Sequence, residues 1–566
     1  MSPDPEKPEA VREQPAQHRP ESDPEKSPAE PHIRASDDDD VRDEEYSFDN
    51  PPPLPFSKAR CIAIVATTTG ASFMNTFSVQ ATVIILPGIA RDLEIPSSRL
   101  QWVVSAYALA FGCFLLLWGR IADVFGKRFI FAAGTAWVAA VSAANPFLKN
   151  EIAFDLFRGL HGLGSAANVP TAIGILGTTF PPGKAKNYAF STYAAGAPLG
   201  SIFGNLLAGF IAEYASWKWV FAIMAIVSAI IAAASLFVIP PPPPKLRPAD
   251  DEGDSASPSP SLASVDWVGG ALVTAGLLAL MFALTEGNVV GWSTPWIPAL
   301  IVVSLLVIGL FAAWQWYLEN KTSRAPLVRL SVFRNGKFSA ALVIMGLFFS
   351  SFNNLFIYAT YFFQNYQGLS VLQTTLRFIP TGVVGIIVAA IAAQLLSRVP
   401  TYYLLLFGCA SVSVACLLFA VPIPPHTTYF AYGLPALCLA VMGADTTWPA
   451  LTLYVSSCLS DEDQALGGAL SNAVGQVGRA VGLALSTVAQ TSVMARERGV
   501  SVQDAGEMVE WEDATLRGIR AANWTTFALG CCAFLVVAVM FRGSGVVGRI
   551  GTSPGSGGPR GARGRP

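Results

Sequence analysis

The sequence predicts an all-α protein that crosses a lipid bilayer fourteen times, and three observations carry that prediction. Of its 566 residues, 52% are hydrophobic and only 13% charged, with a mean hydropathy of +0.46. A soluble domain carries about 25% charge, so roughly half of an ordinary solvated surface is missing. Apolar runs near the ~20 residues that a helix needs to cross hydrocarbon recur along the chain. Lysine and arginine gather in alternate short loops, the asymmetry that orients helices in a membrane.

Breaking the apolar runs at charges and at Pro/Gly clusters marks spans at 61–87, 101–119, 129–148, 152–177, 188–212, 218–239 and 267–285. The second seven lie at 297–317, 338–362, 376–397, 402–422, 428–455, 465–492 and 522–541. Asp266 and Glu286 bracket the seventh closely, but its length favours a span over a buried soluble helix. Arg120, Lys127 and Arg128 follow the second span, Lys184 and Lys186 the fourth, Lys245 and Arg247 the sixth, and Lys321, Arg324, Arg329, Arg334 and Lys337 the eighth. By the positive-inside rule these loops and both chain ends face the cytoplasm. Loop 493–521, with Arg496, Arg498, Arg517 and Arg520, runs against the trend, but acidic residues accompany its arginines.

Residues 1–57 are acidic and Pro-rich, with the run Asp37-Asp38-Asp39-Asp40, and are expected to be a disordered tail. The segment 240–265, opening with Pro240 to Pro244 and followed by Asp250-Asp251-Glu252, reads as a linker, and 542–566 as a basic disordered tail. No early apolar run with a basic start is present, so targeting rests on the first span. A net charge of −2 gives no electrostatic reason to expect nucleic acid. The eight cysteines sit in or beside apolar runs without metal-ligand spacing and read as small hydrophobes. No phosphate-binding loop or His cluster appears, so no enzyme, metal or cofactor is expected.

The loop after the second span reads Gly119-Arg120-Ile121-Ala122-Asp123-Val124-Phe125-Gly126-Lys127-Arg128. Gly126 suits a turn conformation costly to other residues, and Asp123 suits a helix N-terminus or a basic partner. This loop resembles the signature of the major facilitator superfamily. Arg158-Gly159-Leu160-His161-Gly162-Leu163-Gly164, Gly196-Ala197-Pro198-Leu199-Gly200 with Gly204, Ser216-Trp217-Lys218-Trp219-Val220-Phe221 and Asp266-Trp267-Val268-Gly269 resemble motifs of its fourteen-spanner drug:proton antiporter family. Within that family the chain is similar to a fungal branch of aminotriazole-resistance and boron-efflux proteins. The resemblance covers roughly 60–541. It implies two six-helix bundles, 58–239 and 321–541, with two helices inserted between them at 266–320. It further implies a monomer exporting a small drug, toxin or metabolite by proton antiport and alternating access, in the plasma membrane or alternatively the vacuolar one.

One departure bears on coupling. The family's usual acid in the first span corresponds here to Ser78. That supports a rival expectation, a facilitator or uptake permease without obligate proton coupling; a non-transporting receptor of the same fold is a third. Charged groups in hydrocarbon cost about 2.5–3.5 kcal/mol on insertion scales and mark functional candidates. Arg158, His161, Ser165 and Asn168 fall on one face of the fourth span, and the resemblance implies that Arg158 faces a central cavity; an arginine snorkelling to the interface is the plainer reading. His161 suits a proton switch or, more simply, a hydrogen-bonding residue among packed glycines. Asp445 is the deepest carboxylate, either a proton carrier or a partner for local threonines. Asn472, Gln476 and Arg479 share a face of the thirteenth span. Gly196, Gly200 and Gly204, with Pro198, read as a close-packing, bending segment. The ninth span's aromatics, Phe349 among them, serve either an apolar cargo or the packed core.

Overall fold

The computed structural model describes residues 54–95, 102–181, 183–241, 265–322, 324–459 and 463–546. The expected disordered tails and the linker 240–265 therefore lie almost wholly outside the described residues. Among these, fourteen long helices follow one another. They are α1 (Lys58–Asp92), α2 (Trp102–Phe125), α3 (Lys127–Ala144), α4 (Glu151–Thr179), α5 (Lys184–Tyr214), α6 (Lys218–Val238) and α7 (Trp267–Val290). Then come α8 (Trp296–Lys321), α9 (Gly336–Tyr361), α10 (Val371–Leu395), α11 (Thr401–Ala420), α12 (Tyr429–Ser457), α13 (Gln464–Arg498) and α14 (Asp513–Met540).

Each expected span coincides with one helix, and the main differences are at the ends. Helix α1 runs on past Pro87 to Asp92, and α14 begins at Asp513 rather than near 522. Charges such as Arg91, Arg517 and Arg520 ended the apolar runs, but a helix continues into the polar interface where such groups meet water. Twelve of the helices are long and apolar enough to cross a membrane by length and composition alone; α4 and α13 are not among them. Both carry glycines, amides and an internal arginine, and both pack among the other helices.

The first bundle pairs α1 with α5, α2 with α4 and α3 with α6; in the second, α9 lies on α13 and α14, and α11 on α12 and α14. The inserted α7 and α8 pack on each other, and α7 also lies against α2 and α13. Asp266 fixes the start of α7: it accepts from the Gly269 N–H at 2.8 Å, from Trp314 Nε1 at 3.0 Å and from Gln315 Nε2 at 2.7 Å. The bundles meet along two seams, α5 against α10 and α12, and α13 against α2 and α4.

Lipid tails are as apolar as leucine, so helices in a membrane associate through close packing rather than hydrophobic exclusion. The α1–α5 contact shows how close. A Cβ added at Gly200 would sit 2.2 Å from the Phe73 carbonyl oxygen; at Gly196 it would sit 2.8 Å from that of Thr69, and at Gly204 2.9 Å from that of Phe77. Three glycines one turn apart thus bring α5 onto the backbone of α1.

Candidate functional site

In the second bundle α9, α12 and α13 line a half-open cavity of about 60 Å³ bordered by Phe349, Asn353, Trp448, Asn472, Gly475, Gln476 and Arg479. Spacings of four and three put Asn472, Gln476 and Arg479 on one face of α13, and the cavity brings all three together as their periodicity suggests. The Phe349 and Trp448 rings meet edge to face, 5.2 Å apart at 89°. Asn472 Nδ2 donates to the Gly468 carbonyl at 2.9 Å and Asn353 Nδ2 to that of Phe349 at 3.4 Å, so part of each amide is held by its own helix. No ion pair or side-chain hydrogen bond of Arg479 occurs among the described residues. Sequence reasoning missed Asn353 and Trp448. The adjacent amides Asn353-Asn354 inside an apolar run were a signal available for the first.

The polar face of α4 divides. Arg158 is fully buried within the first bundle, donating from Nε to the Val103 carbonyl at 3.0 Å and from Nη1 to Ser78 Oγ at 3.2 Å. Its guanidinium carbon lies 5.0 Å from the centroid of the Tyr107 ring, a favourable cation–π contact, while Nη2 has no hydrogen-bond partner among the described residues. His161 meets the same ring edge-on at 5.3 Å, and its Nδ1 is unpartnered. Tyr107 in turn donates to Asn75 Oδ1 at 2.5 Å. Asn168 belongs elsewhere: it takes a 3.2 Å hydrogen bond from Thr135 Oγ1 in the α3–α4 contact. None of Arg158, His161 and Asn168 lines the cavity of the second bundle.

Asp445 stands on α12 at the seam with α5 and α10. It is 7% exposed, and its Oδ2 has no hydrogen-bond partner among the described residues. A Cβ built at Gly385 of α10 would lie 3.1 Å from that oxygen and 3.6 Å from Cβ of Pro198 on α5. A residue of each bundle thus comes close to this carboxylate.

The signature loop makes the other seam. Asp123, in the last turn of α2, accepts from the backbone N–H groups of Ala465 at 3.2 Å and Leu466 at 2.9 Å, the first turn of α13. A carboxylate there meets the positive end of a helix dipole and satisfies two otherwise orphaned donors. Lys127 Nζ lies 3.4 Å from the same carboxylate, and Arg120 pairs with Asp463 at 3.2 Å, at the N-cap of α13. Gly119 allows the approach, since its Cβ would meet that of Ala469 at 2.6 Å. Gly126 has φ = 101°, which favours glycine, and Arg128 donates to the Leu236 carbonyl.

Among the described residues, no group of three or more His, Cys, Asp and Glu is arranged to hold a metal ion. The family model for the Major Facilitator Superfamily matches residues 68–483. The low affinity ammonium transporter of Saccharomyces cerevisiae is 32% identical over 399 residues, covering 70% of this chain and 75% of that protein. The multidrug transporter mdr3 of Aspergillus fumigatus is 28% identical over 446 residues, covering 78% and 72%. The solved proton:xylose symporter XylE superposes with a TM-score of 0.59 at 12% identity, over 85% of this chain and 95% of that one, a likeness of fold.

Proposed function

This chain belongs to the Major Facilitator Superfamily and is a multi-pass membrane transporter, and from that premise we propose that it exports a small molecule by alternating access. Two bundles rock about a polar path near the membrane midplane. The observation that carries this reading is the clasp of Asp123 on the first turn of α13, which ties the bundles at one end. Such a contact must part for that end to open. Relatives from Aspergillus terreus that are named efflux pumps support the outward direction. The motifs after Arg158, around Pro198 and at Asp266 further support membership of the fourteen-spanner, fungal-type branch. Both chain ends then face the cytoplasm of a plasma-membrane monomer, with domain limits at 58–239, 266–320 and 321–541.

Proton exchange drives the cycle in this reading, with Asp445 as first carrier. Its carboxylate lies at a seam that must rearrange, and its Oδ2 has no hydrogen-bond partner among the described residues. Asp123, Lys127 and Arg128 act on closure, and Arg158 holds α4 to α1 and α2. One observation favours a second reading, a facilitator or uptake permease: Ser78 occupies the family's usual acid position and is tied to Arg158.

Purified protein in vesicles loaded with a pH-sensitive dye separates the two. Antiport predicts that adding a transported compound from a chemical panel moves protons, and that Asp123→Ala cuts this at least tenfold at equal protein. Compound uptake without proton movement establishes the facilitator instead.

A further inference from the structure

We propose that the cavity between α9, α12 and α13 is an anion site, and that the cargo is a small organic acid whose single negative charge is held by Arg479. The proposal deepens the transport reading above and rests on it for the word cargo, though not for the site.

Three features of the cavity select the charge. Among the described residues, Arg479 is its only ionisable lining residue, and no carboxylate joins it. The structure pairs other cations: Arg120 with Asp463, Lys127 with Asp123, Arg498 with Glu512 and Arg517 with Glu497. Arg158 is covered by a carbonyl, a hydroxyl and an aromatic ring, with the Asp155 carboxylate one turn away on the same helix. Arg479 has neither a counter-charge nor a side-chain hydrogen bond among the described residues, so a bare cation faces the cavity at membrane depth. Such a charge is costly unless water or a ligand anion meets it.

The remaining lining residues select the body. A guanidinium presents a planar fork that matches a carboxylate with two parallel hydrogen bonds. Gln476, one turn before Arg479, adds an amide donor on the same face. Opposite these, the edge-to-face rings of Phe349 and Trp448 offer an apolar wall, and Gly475 keeps the space beside Phe349 free, with only 3.3 Å between an added Cβ and that ring. One cation neutralises one negative charge, which favours a monocarboxylate over a phosphate dianion. The cavity is far below the 300–1,000 Å³ of a drug-sized site, so in this conformation it admits an acid group and leaves the body to be enclosed when the bundles move.

Benzoate, benzamide and benzylamine share a ring and differ in charge, which makes them the probes. The full-length protein in nanodiscs of neutral lipid is titrated with each, and the shift in melting temperature gives the affinity. Benzoate should bind at least tenfold more tightly than benzamide or benzylamine. Arg479→Gln should remove that preference, and Asn353→Asp, which keeps the arginine but gives it a counter-charge, should remove it as well. Unliganded melting of both variants controls for folding. The proposal is overturned if benzoate does not bind, if benzylamine binds as tightly, or if Arg479→Gln keeps the carboxylate preference. Vesicle uptake separates this from the parent reading. A benzoate site without uptake of any probe leaves the site standing and removes transport. Uptake of benzylamine but not benzoate keeps transport and ends the anion proposal.

Discussion

Two arginines, one in each bundle, occupy helices of similar polarity and are treated in opposite ways. Arg158 is enclosed by a carbonyl, a hydroxyl and a tyrosine ring, all from neighbouring helices of its own bundle. Arg479 looks into a cavity and has no ion pair or side-chain hydrogen bond among the described residues. The carboxylate Asp445, also in the second bundle, likewise has an oxygen with no partner. Arg158 thus knits helices of the first bundle, although its Nη2 finds no partner among the described residues, whereas Arg479 in the second is left open to something the polypeptide does not supply. A buried group that lacks a protein partner lowers stability, and a bound ligand or proton would offset that cost.

The largest effect that would sharpen this contrast belongs to the packing of the first bundle. Gly200→Val places a side chain against the Phe73 carbonyl, where backbone rather than a flexible chain end must yield. Overpacking of this kind costs about 3 kcal/mol or more, and the yield of monodisperse protein should collapse. Full recovery of folded protein would show that α1 and α5 are free to separate.

A smaller stability effect and a large functional one are expected at Asp445. Replacing it with asparagine removes no protein hydrogen bond of Oδ2, so the melting temperature should hold or rise. Gradient-driven accumulation should stop while exchange between equal cargo concentrations continues. A marked fall in melting temperature would make Asp445 a structural residue and break the contrast between the bundles.

The smallest effect lies outside the membrane spans, in the connection from α13 to α14. Arg498 Nε donates to Glu512 at 3.0 Å, and hydrogen bonds from Arg498 hold the Glu512 carboxyl below its ordinary range. A depressed carboxyl stabilises the folded state above its unfolded value of about 4.3, and the benefit disappears as pH falls through the folded value. The side chain is partly exposed, so the effect is small. Limited proteolysis of the 499–512 loop should accelerate below about pH 4 in the unmutated protein. In Glu512→Gln that acid-dependent acceleration should be absent.

Much of this was legible from the sequence, for physical reasons. Hydrocarbon thickness fixes helix length, so apolar runs located all fourteen helices, failing mainly at ends such as Asp92 and Asp513 where charge and helix coexist. The face shared by Asn472, Gln476 and Arg479 follows from the helical period alone. The same period put Asn168 beside Arg158, but it cannot say which neighbour a face meets: ten residues along α4, Asn168 has turned to Thr135 on α3. Asn353 and Trp448 were illegible as lining because that depends on how α9 and α12 lean on α13. Likewise, the sequence shows Ser78 in place of an acid, but only the fold shows that this serine holds Arg158.

The contrast between the two arginines is tested most directly by thermal unfolding of Arg158→Gln and Arg479→Gln, purified in the same detergent without added ligand. Loss of Arg158 breaks two hydrogen bonds and a ring contact in a dry interior, at a cost of about 1–3 kcal/mol, and its melting temperature should fall by several degrees. Loss of Arg479 removes an uncompensated charge and no protein partner, so that variant should melt at or above the unmutated protein. Equal destabilisation of the two would contradict the account, because Arg479 would then have a structural role like that of Arg158.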